Sequence, residues 1–133
     1  MNTSTSDKPP AARLSSALTA ELRDLFSAED LLTEVNDCWA YGYDNSRQHA
    51  LPQAVCFART EQQVCQLVAL CLQYKVPVVS RGRGTGTTGA TAPLRGGIVV
   101  ALEKLRGRLT IDPANRLAIV SAGFTNQELQ KAA

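Results

Sequence analysis

A glycine-rich stretch at residues 80–93, SRGRGTGTTGATAP, has the composition of an anion-binding loop. Glycine reaches backbone conformations that turn several N–H groups toward one anion, and its lack of a Cβ lets the anion come close. Threonine hydroxyls add donors and arginines add positive charge. The groups involved are Gly82, Gly84, Gly86, Gly89, Thr85, Thr87, Thr88, Arg81 and Arg83. The stretch is therefore predicted to bind phosphate, with a flexible surface turn as the alternative.

The spacing of Gly84, Gly86 and Gly89 is a literal G-x-G-x-x-G, the pattern of a dinucleotide-binding turn. In that turn a strand leads directly into a helix that opens within the glycines. An apolar strand does precede the glycines here, but Pro93 and the glycine pair after it make a helix in this segment untenable. A P-loop is excluded as well, because no Gly-Lys-Ser/Thr follows. We therefore expect a glycine loop without a helix.

Short apolar runs on both sides of the loop predict the strands that position it. These runs are AVCFA at 54–58, VPVVS at 76–80 and GIVVAL at 97–102, and all three are expected to be covered on both faces. Thr60 is predicted to cap a helix between the first two strands, with Val64, Leu67, Val68, Cys71 and Leu72 on its buried face. The order strand, helix, strand implies a right-handed crossover and parallel pairing.

The flanking regions predict further helices and a hairpin. Before the first strand we expect a helix at about 16–27, a second short helix from Ser27 through Val35, and an ordered loop at 36–53. After the last strand, RLTID and RLAIVSA flank PAN, which indicates an antiparallel hairpin. Thr125, with Glu128 as its capping-box partner, is predicted to begin a final helix. No stop signal follows that helix, so we expect a fragment of a longer chain.

Composition excludes several functional classes. The 133 residues carry a net charge of +2 and are 44% hydrophobic, which is typical of one globular domain. Without a long basic run or an apolar run of about 18 residues, we expect no nucleic-acid partner and no membrane span. The polar N-terminus lacks a secretory signal, so residues 1–15 are predicted to be a disordered lead-in and the protein cytoplasmic.

The cysteines and the single histidine are not predicted to form a metal site. Cys38, Cys56, Cys65 and Cys71 show no C-x-x-C spacing, and we expect reduced, buried thiols rather than disulfides or zinc ligands. His49 has no partner histidine.

Taken together, the motifs resemble the FAD-binding domain of the FAD-linked oxidases, the vanillyl-alcohol oxidase or p-cresol methylhydroxylase type. The resemblance is closest to glycolate oxidase FAD subunits and D-lactate dehydrogenases, and it runs from about Tyr41 to the end. The loop of that family reads roughly Pro-Arg-Gly-x-Gly-Thr-Ser/Gly-x-x-Gly, with Ser80 replacing the proline here. Y-x-x-D-x-S at Tyr41, Asp44 and Ser46, and IDPANRLAIVSAGFTNQEL at 111–129, also resemble family segments.

The resemblance implies an α+β fold, in which residues 16–133 form the N-terminal part of an FAD-binding domain. That part is a βαβ first lobe with parallel strands and the start of an antiparallel second lobe. It further implies FAD bound without a covalent bond, since the loop lacks the histidine through which some relatives attach the flavin. The implied cofactor-binding residues are Arg81, Gly82, Arg83, Gly84, Thr85, Gly86, Thr87, Gly89 and Gly123. Asp44 matches a motif without a firm role.

The activity that the resemblance implies is oxidation of a 2-hydroxy acid, such as glycolate or D-lactate, by hydride transfer to the flavin. The resemblance leaves open whether an electron-transfer partner subunit exists. Because the family keeps its catalytic residues further along, none is assigned, and this chain alone is expected to be inactive. Two alternatives stay open: a non-catalytic FAD- or nucleotide-binding module, and an FAD enzyme of the same fold with different chemistry.

Overall fold

The computed structural model describes residues 12–133. Its helices are α1 (Ser16–Leu25), α2 (Val35–Cys38), α3 (Glu61–Gln73) and α4 (Asn126–Ala132). Its strands are β1 (Leu31–Leu32), β2 (Ala54–Phe57), β3 (Val78–Arg81), β4 (Ile98–Ala101), β5 (Leu109–Asp112) and β6 (Leu117–Val120). Of the lead-in predicted at 1–15, residues 1–11 lie outside the described part, and Ser15 caps α1 by accepting a hydrogen bond from the Leu18 amide. No helix among residues 12–133 is long and apolar enough to span a bilayer.

The main sheet confirms the predicted parallel pairing. Its strand order is β1-β2-β4-β3, and β4 is parallel to both of its neighbours, with Val99 opposite Val55 on one side and Val79 on the other. The crossover through α3 therefore joins two strands that are not adjacent, and β4 lies between them. The glycine loop is the connection from the carboxyl end of β3 back to the start of β4.

Alternation along β2 and β4 separates two hydrophobic clusters, one on each face of the sheet. Ala54, Cys56, Ile98 and Val100 face α1 and α3, where Leu18, Leu22, Leu67 and Cys71 complete the larger cluster. Val55, Phe57, Val99 and Ala101 face the opposite side, where Cys38, Tyr41 and Leu51 cover them. This division follows from the two-residue period of a strand. The chain segment that covers the second face is also the one that reaches the glycine loop.

The predicted second helix from Ser27 through Val35 is wrong. A 3-10 turn, the short strand β1 and the one-turn helix α2 occupy this region instead. At the end of the 3-10 turn, the buried carboxylate of Asp30 pairs with Arg59 Nε at 2.5 Å and Lys104 Nζ at 2.6 Å. The hydrogen bond from Arg59 is the main reason that the pKa of Asp30 falls to about 2. These long-range contacts, and the pairing of β1 with β2, override the local helical spacing.

Burial also differs from expectation at the edge of the sheet and on α3. β3 is an edge strand with an exposed Ser80, so it is not covered on both faces as predicted. On α3, Val64 is half-buried and Leu67 and Cys71 are buried, but Val68 and Leu72 are 47% and 80% exposed. Helical spacing marked too wide a face, because only Val64, Leu67 and Cys71 of this set pack into the cluster formed with α1 and the sheet.

Three of the four cysteines are buried as predicted, and all four are free thiols. Burial raises the pKa of Cys38 and of Cys71 to about 11, and that of Cys56 further. Cys65 is exposed on α3, so its predicted burial is wrong.

The helix caps and the hairpin are confirmed. Thr60 Oγ1 accepts a hydrogen bond from the Gln63 amide at the start of α3. β5 and β6 pair antiparallel as a separate two-stranded sheet. The full capping box of Thr125 and Glu128 begins α4, and Arg106 Nη2 donates to Glu128 Oε1 at 2.5 Å.

Candidate functional site

The glycine loop, residues 82–97, contains no helix, as the positions of its proline and glycines predicted. It leaves the carboxyl end of β3, and ligands of open parallel sheets bind at that edge. The loop has two parts with different hydrogen bonding. We call residues 82–88 the outer limb and residues 89–97 the inner limb.

The outer limb carries a row of backbone amides without protein partners. No N–H from Gly82 to Thr88 donates a hydrogen bond to any group within residues 12–133. The hydroxyls of Thr85, Thr87 and Thr88 likewise have no partner in that part of the chain. All residues of the outer limb are exposed except Gly84, which is half-buried. The limb thus presents donors to solvent.

The inner limb uses its amides to hold itself and the sheet together. The amides of Ala92 and Gly96 donate to the carbonyls of Gly89 and Pro93 within the limb. The Gly97 amide donates to Gln53 Oε1 at 2.8 Å, and the Gln53 amide returns a bond to the Gly97 carbonyl. Pro93 and Gly97 are buried. The inner limb is therefore part of the scaffold.

Glycine is required at some loop positions by the backbone and leaves open space at others. Gly84 and Gly89 have φ values of +68° and +80°, a region that other residues rarely adopt. A Cβ at Gly84 would also lie 2.1 Å from Arg81 Nη2. A Cβ at Gly82 would meet nothing within 4 Å, and one at Gly86 would come only within 3.8 Å of Asp44 Oδ2. Gly82 and Gly86 therefore leave free volume beside the unpartnered amides.

Arg81, predicted as a charge for an anion, lies beneath the outer limb rather than on the surface. It is 8% exposed, its guanidinium donates from Nη1 to the carbonyl of Tyr43, and its Cζ lies 5.7 Å from the Tyr41 ring centroid. No carboxylate within residues 12–133 forms an ion pair with Arg81. Arg83, by contrast, is exposed. The buried charge of Arg81 thus has no counter-ion in the described part of the chain.

A second chain segment, residues 44–46, supports the glycine loop through hydrogen bonds made by Asp44 and Asn45. Asp44 is 5% exposed, and its Oδ2 accepts from the Gly89 amide at 3.0 Å. Hydrogen bonds from Ser46, then from Gly89, lower the pKa of Asp44. Asn45 donates from its amide to the Gly86 carbonyl at 2.9 Å and from Nδ2 to the Thr85 carbonyl at 3.2 Å. The sequence pointed to Asp44 through its motif, but nothing in it pointed to Asn45.

Gly123 lies outside the loop, after β6, and has a contact of its own. Its amide donates to the Leu105 carbonyl at 2.8 Å, and a Cβ at this position would lie 2.5 Å from that oxygen. The close approach of two backbones is enough to require glycine here. A contact of Gly123 with a flavin stays a prediction.

The chemistry of the outer limb fits a diphosphate. Backbone N–H groups and hydroxyls can all donate to phosphate oxygens, the missing Cβ atoms leave room, and a buried guanidinium lies beneath. Among residues 12–133 no cluster of three His, Cys, Asp or Glu side chains is placed to hold a metal ion.

Residues 52–133 match the family of FAD binding domains, and this segment includes the whole glycine loop. The chain belongs to this family. FAD is accordingly the cofactor of the domain, as the sequence resemblance implied.

Curated relatives of this FAD-binding domain include glycolate oxidase subunit GlcD of Bacillus subtilis, 32% identical over 69% of this chain and 20% of that protein. The D-lactate dehydrogenase of Archaeoglobus fulgidus is 33% identical over 71% of this chain and 22% of that protein. The chain therefore spans about a fifth of the length of these relatives.

Solved structures confirm the fold of the FAD-binding domain. Alkyldihydroxyacetonephosphate synthase superposes with a TM-score of 0.79 at 20% identity, covering 94% of this chain and 27% of the other. Substrate-bound p-cresol methylhydroxylase superposes with a TM-score of 0.75 at 23% identity, covering 92% and 25%. At these identities the likeness concerns the fold alone.

Proposed function

We propose that the outer limb of the glycine loop binds the diphosphate of FAD through its backbone amides. The observation that carries this proposal is the row of N–H groups without protein partners at the carboxyl end of β3. Hydrogen bonds to a charged acceptor contribute about 1.5–3 kcal/mol each, so a few of them hold a diphosphate. The donors are Gly82, Arg83, Gly84, Thr85, Gly86 and Thr87, with Gly89 fixing the turn after them.

Arg81 supplies the positive charge of this site. A buried guanidinium without a carboxylate partner is costly, and an anionic ligand on the outer limb, which Arg81 approaches at Gly84, compensates it. The cofactor is held without a covalent bond at this loop, because residues 80–93 contain no histidine. We also propose that Gly123 lies close to the flavin.

For the whole protein we propose an FAD-dependent oxidoreductase that acts on a 2-hydroxy acid such as glycolate or D-lactate. Support comes from curated relatives named glycolate oxidase subunit and D-lactate dehydrogenase. Bound FAD supplies the two-electron acceptor, and the loop described here holds its diphosphate in place. The word subunit in the first of these names also supports a partner subunit, to which we assign electron transfer as part of the proposal. The described residues contain no catalytic group that we assign.

Gly86→Ala tests the binding proposal most cleanly in the protein that carries this domain. Gly86 has no positive φ, and the nearest atom to its Cβ position is Asp44 Oδ2 at 3.8 Å, so the fold tolerates alanine while the methyl group takes up volume beside the unpartnered amides. Gly107→Ala is the matched control, since its nearest atom is Ser121 Oγ at 3.9 Å. We expect about tenfold weaker FAD binding for Gly86→Ala, roughly 1.4 kcal/mol, and unchanged binding for Gly107→Ala. Equal FAD affinity in both variants would refute the assignment.

Dye reduction by the unsubstituted protein, loaded with FAD, tests the proposed reaction. With glycolate or D-lactate as substrate we expect flavin bleaching without oxygen and dye reduction above a no-substrate control. Tight FAD binding without reduction by either acid, or by related 2-hydroxy acids, would instead support a non-catalytic module or a different chemistry on the same fold.

A further inference from the structure

We propose that Asp44 and Asn45 are positioning residues that fix the outer limb with its amides turned toward the diphosphate. This inference rests on the proposed function. The outer limb has no internal hydrogen bonds, and these two residues explain how it keeps one orientation before a ligand binds. Neither side chain needs to touch the cofactor.

Asn45 sets the direction of two successive peptide planes. Its backbone amide and its Nδ2 donate to the carbonyls of Gly86 and Thr85, respectively. In a planar trans peptide the carbonyl of one residue and the N–H of the next point in opposite directions. Because both carbonyls point at Asn45, the amides of Gly86 and Thr87 must point away from it, toward the open side of the loop.

Asp44 fixes the end of the outer limb. Its Oδ2 accepts from the amide of Gly89 and, at 3.5 Å, from the hydroxyl of Thr91. Its Oδ1 accepts from the Ser46 amide at 2.8 Å, which orients the carboxylate. The Gly89 amide is thereby occupied, so the ligand-facing row ends at Thr88.

The segment that carries both residues is itself anchored. Tyr41 packs edge-on against Phe57, with ring centroids 5.3 Å apart, in the cluster on the second face of the sheet. The Ala50 amide donates to the Gly42 carbonyl, and Tyr43 and His49 form a β-bridge. Positioning by a fixed support lowers the ordering cost that a flexible glycine loop adds to binding.

Matched substitutions test this role in the protein that carries this domain. Asn45→Ala removes only the bond to Thr85, and Asp44→Asn keeps shape but loses acceptor capacity. The hairpin turn offers controls of the same type, because Asn115 donates from its amide and from Nδ2 to Asp112. We expect FAD and ADP to bind about fivefold weaker with Asn45→Ala and about tenfold weaker with Asp44→Asn. Asn115→Ala and Asp112→Asn should stay within about twofold of the unsubstituted protein.

Binding of riboflavin distinguishes a positioning role from a general loss of structure, because riboflavin carries no phosphate. We expect its affinity to be unchanged by Asn45→Ala, whereas a merely structural defect would weaken riboflavin and FAD together. If Asp44→Asn does not fold, Asn45→Ala decides alone, since it leaves Asp44 intact. The positioning role is overturned if Asn45→Ala binds FAD as tightly as the unsubstituted protein does. It is also overturned if the variant loses affinity for riboflavin and for FAD to the same extent. Failure of the unsubstituted protein to bind FAD or ADP would overturn the proposed function itself.

Discussion

The outer and inner limbs of the glycine loop share several residue types but use their backbone groups in opposite ways. Both contain glycine, threonine and arginine. The inner limb is partly buried, and its amides donate to Asp44, to Gln53 and to its own carbonyls. The outer limb is exposed and donates to nothing within residues 12–133. One limb is thus built into the sheet, and the other is left open.

The difference shows how a glycine can serve either the scaffold or the ligand. Buried backbone groups are nearly always hydrogen-bonded, so the inner limb had to satisfy its own. The outer limb leaves its groups to solvent or to an anion. A Cβ at Gly97 would lie 2.1 Å from the Pro77 carbonyl oxygen, whereas a Cβ at Gly82 would meet no atom. Gly84 in the outer limb is crowded as well, since a Cβ there would lie 2.1 Å from Arg81 Nη2, so the two limbs differ in the partners of their amides more than in the space around each glycine.

Gly97→Ala should give the largest effect, and it should appear in stability rather than binding. The residue has φ of +92° and no room for a methyl group. We expect a loss of about 3 kcal/mol or more in the free energy of unfolding, from backbone strain and the clash with Pro77. Urea denaturation measures it, with Gly107→Ala as the control expected within about 0.5 kcal/mol. A Gly97→Ala protein of unchanged stability would contradict the scaffold role of the inner limb.

The pH dependence of FAD binding should reveal the contribution of the Asp44 carboxylate, which accepts a hydrogen bond from the Gly89 amide where the two limbs meet. Hydrogen bonds lower the pKa of Asp44 from 3.8. The stabilisation that the ionised carboxylate gives to the loop is therefore complete above pH 3.8, and it is lost as the pH falls through the pKa of the folded state. Protonated Asp44 resembles asparagine. We therefore expect the ratio of FAD affinities, unsubstituted protein over Asp44→Asn, to be constant above about pH 5 and to decline toward unity at more acidic pH. Fluorescence titration checks this, and a ratio that rises on acidification would contradict it.

Thr87→Val should give the smallest effect, confined to binding. The Thr87 hydroxyl is exposed and unpartnered within the described residues, so the fold does not depend on it. Loss of one hydroxyl donor should weaken FAD by about 0.5–1.5 kcal/mol and leave the melting temperature unchanged. Thr110→Val, at an exposed site on β5, is the control. A fall in melting temperature for Thr87→Val alone would assign that threonine to the scaffold.

Features set by neighbouring residues could be predicted from the sequence. The apolar runs gave the strands of the parallel sheet, the capping patterns gave the starts of α3 and α4, and Pro93 excluded a helix after the glycines. Each of these depends on residues a few positions apart. The presence of a glycine loop at the end of a strand is local in the same sense.

Features set by distant contacts could not be predicted. β1 exists because Asp30 and the two leucines after it meet β2, Arg59 and Lys104, and local spacing alone favoured a helix there. The bond from Asn45 to Thr85 spans 40 residues, and no sequence pattern indicates which way a peptide plane turns. The buried position of Arg81 depends likewise on Tyr43, far away in the chain.

Hydrogen exchange of single amides, with and without FAD, tests whether the outer limb binds the cofactor through its backbone amides. In the FAD-free protein the outer-limb amides, Gly82 to Thr88, should exchange without protection, whereas those of Gly89 and Gly97 should be protected because they are already bonded. Saturating FAD should slow the outer limb by about tenfold or more and leave the inner limb little changed. If FAD binds and the outer-limb amides still exchange as fast as in its absence, these amides do not hold the cofactor.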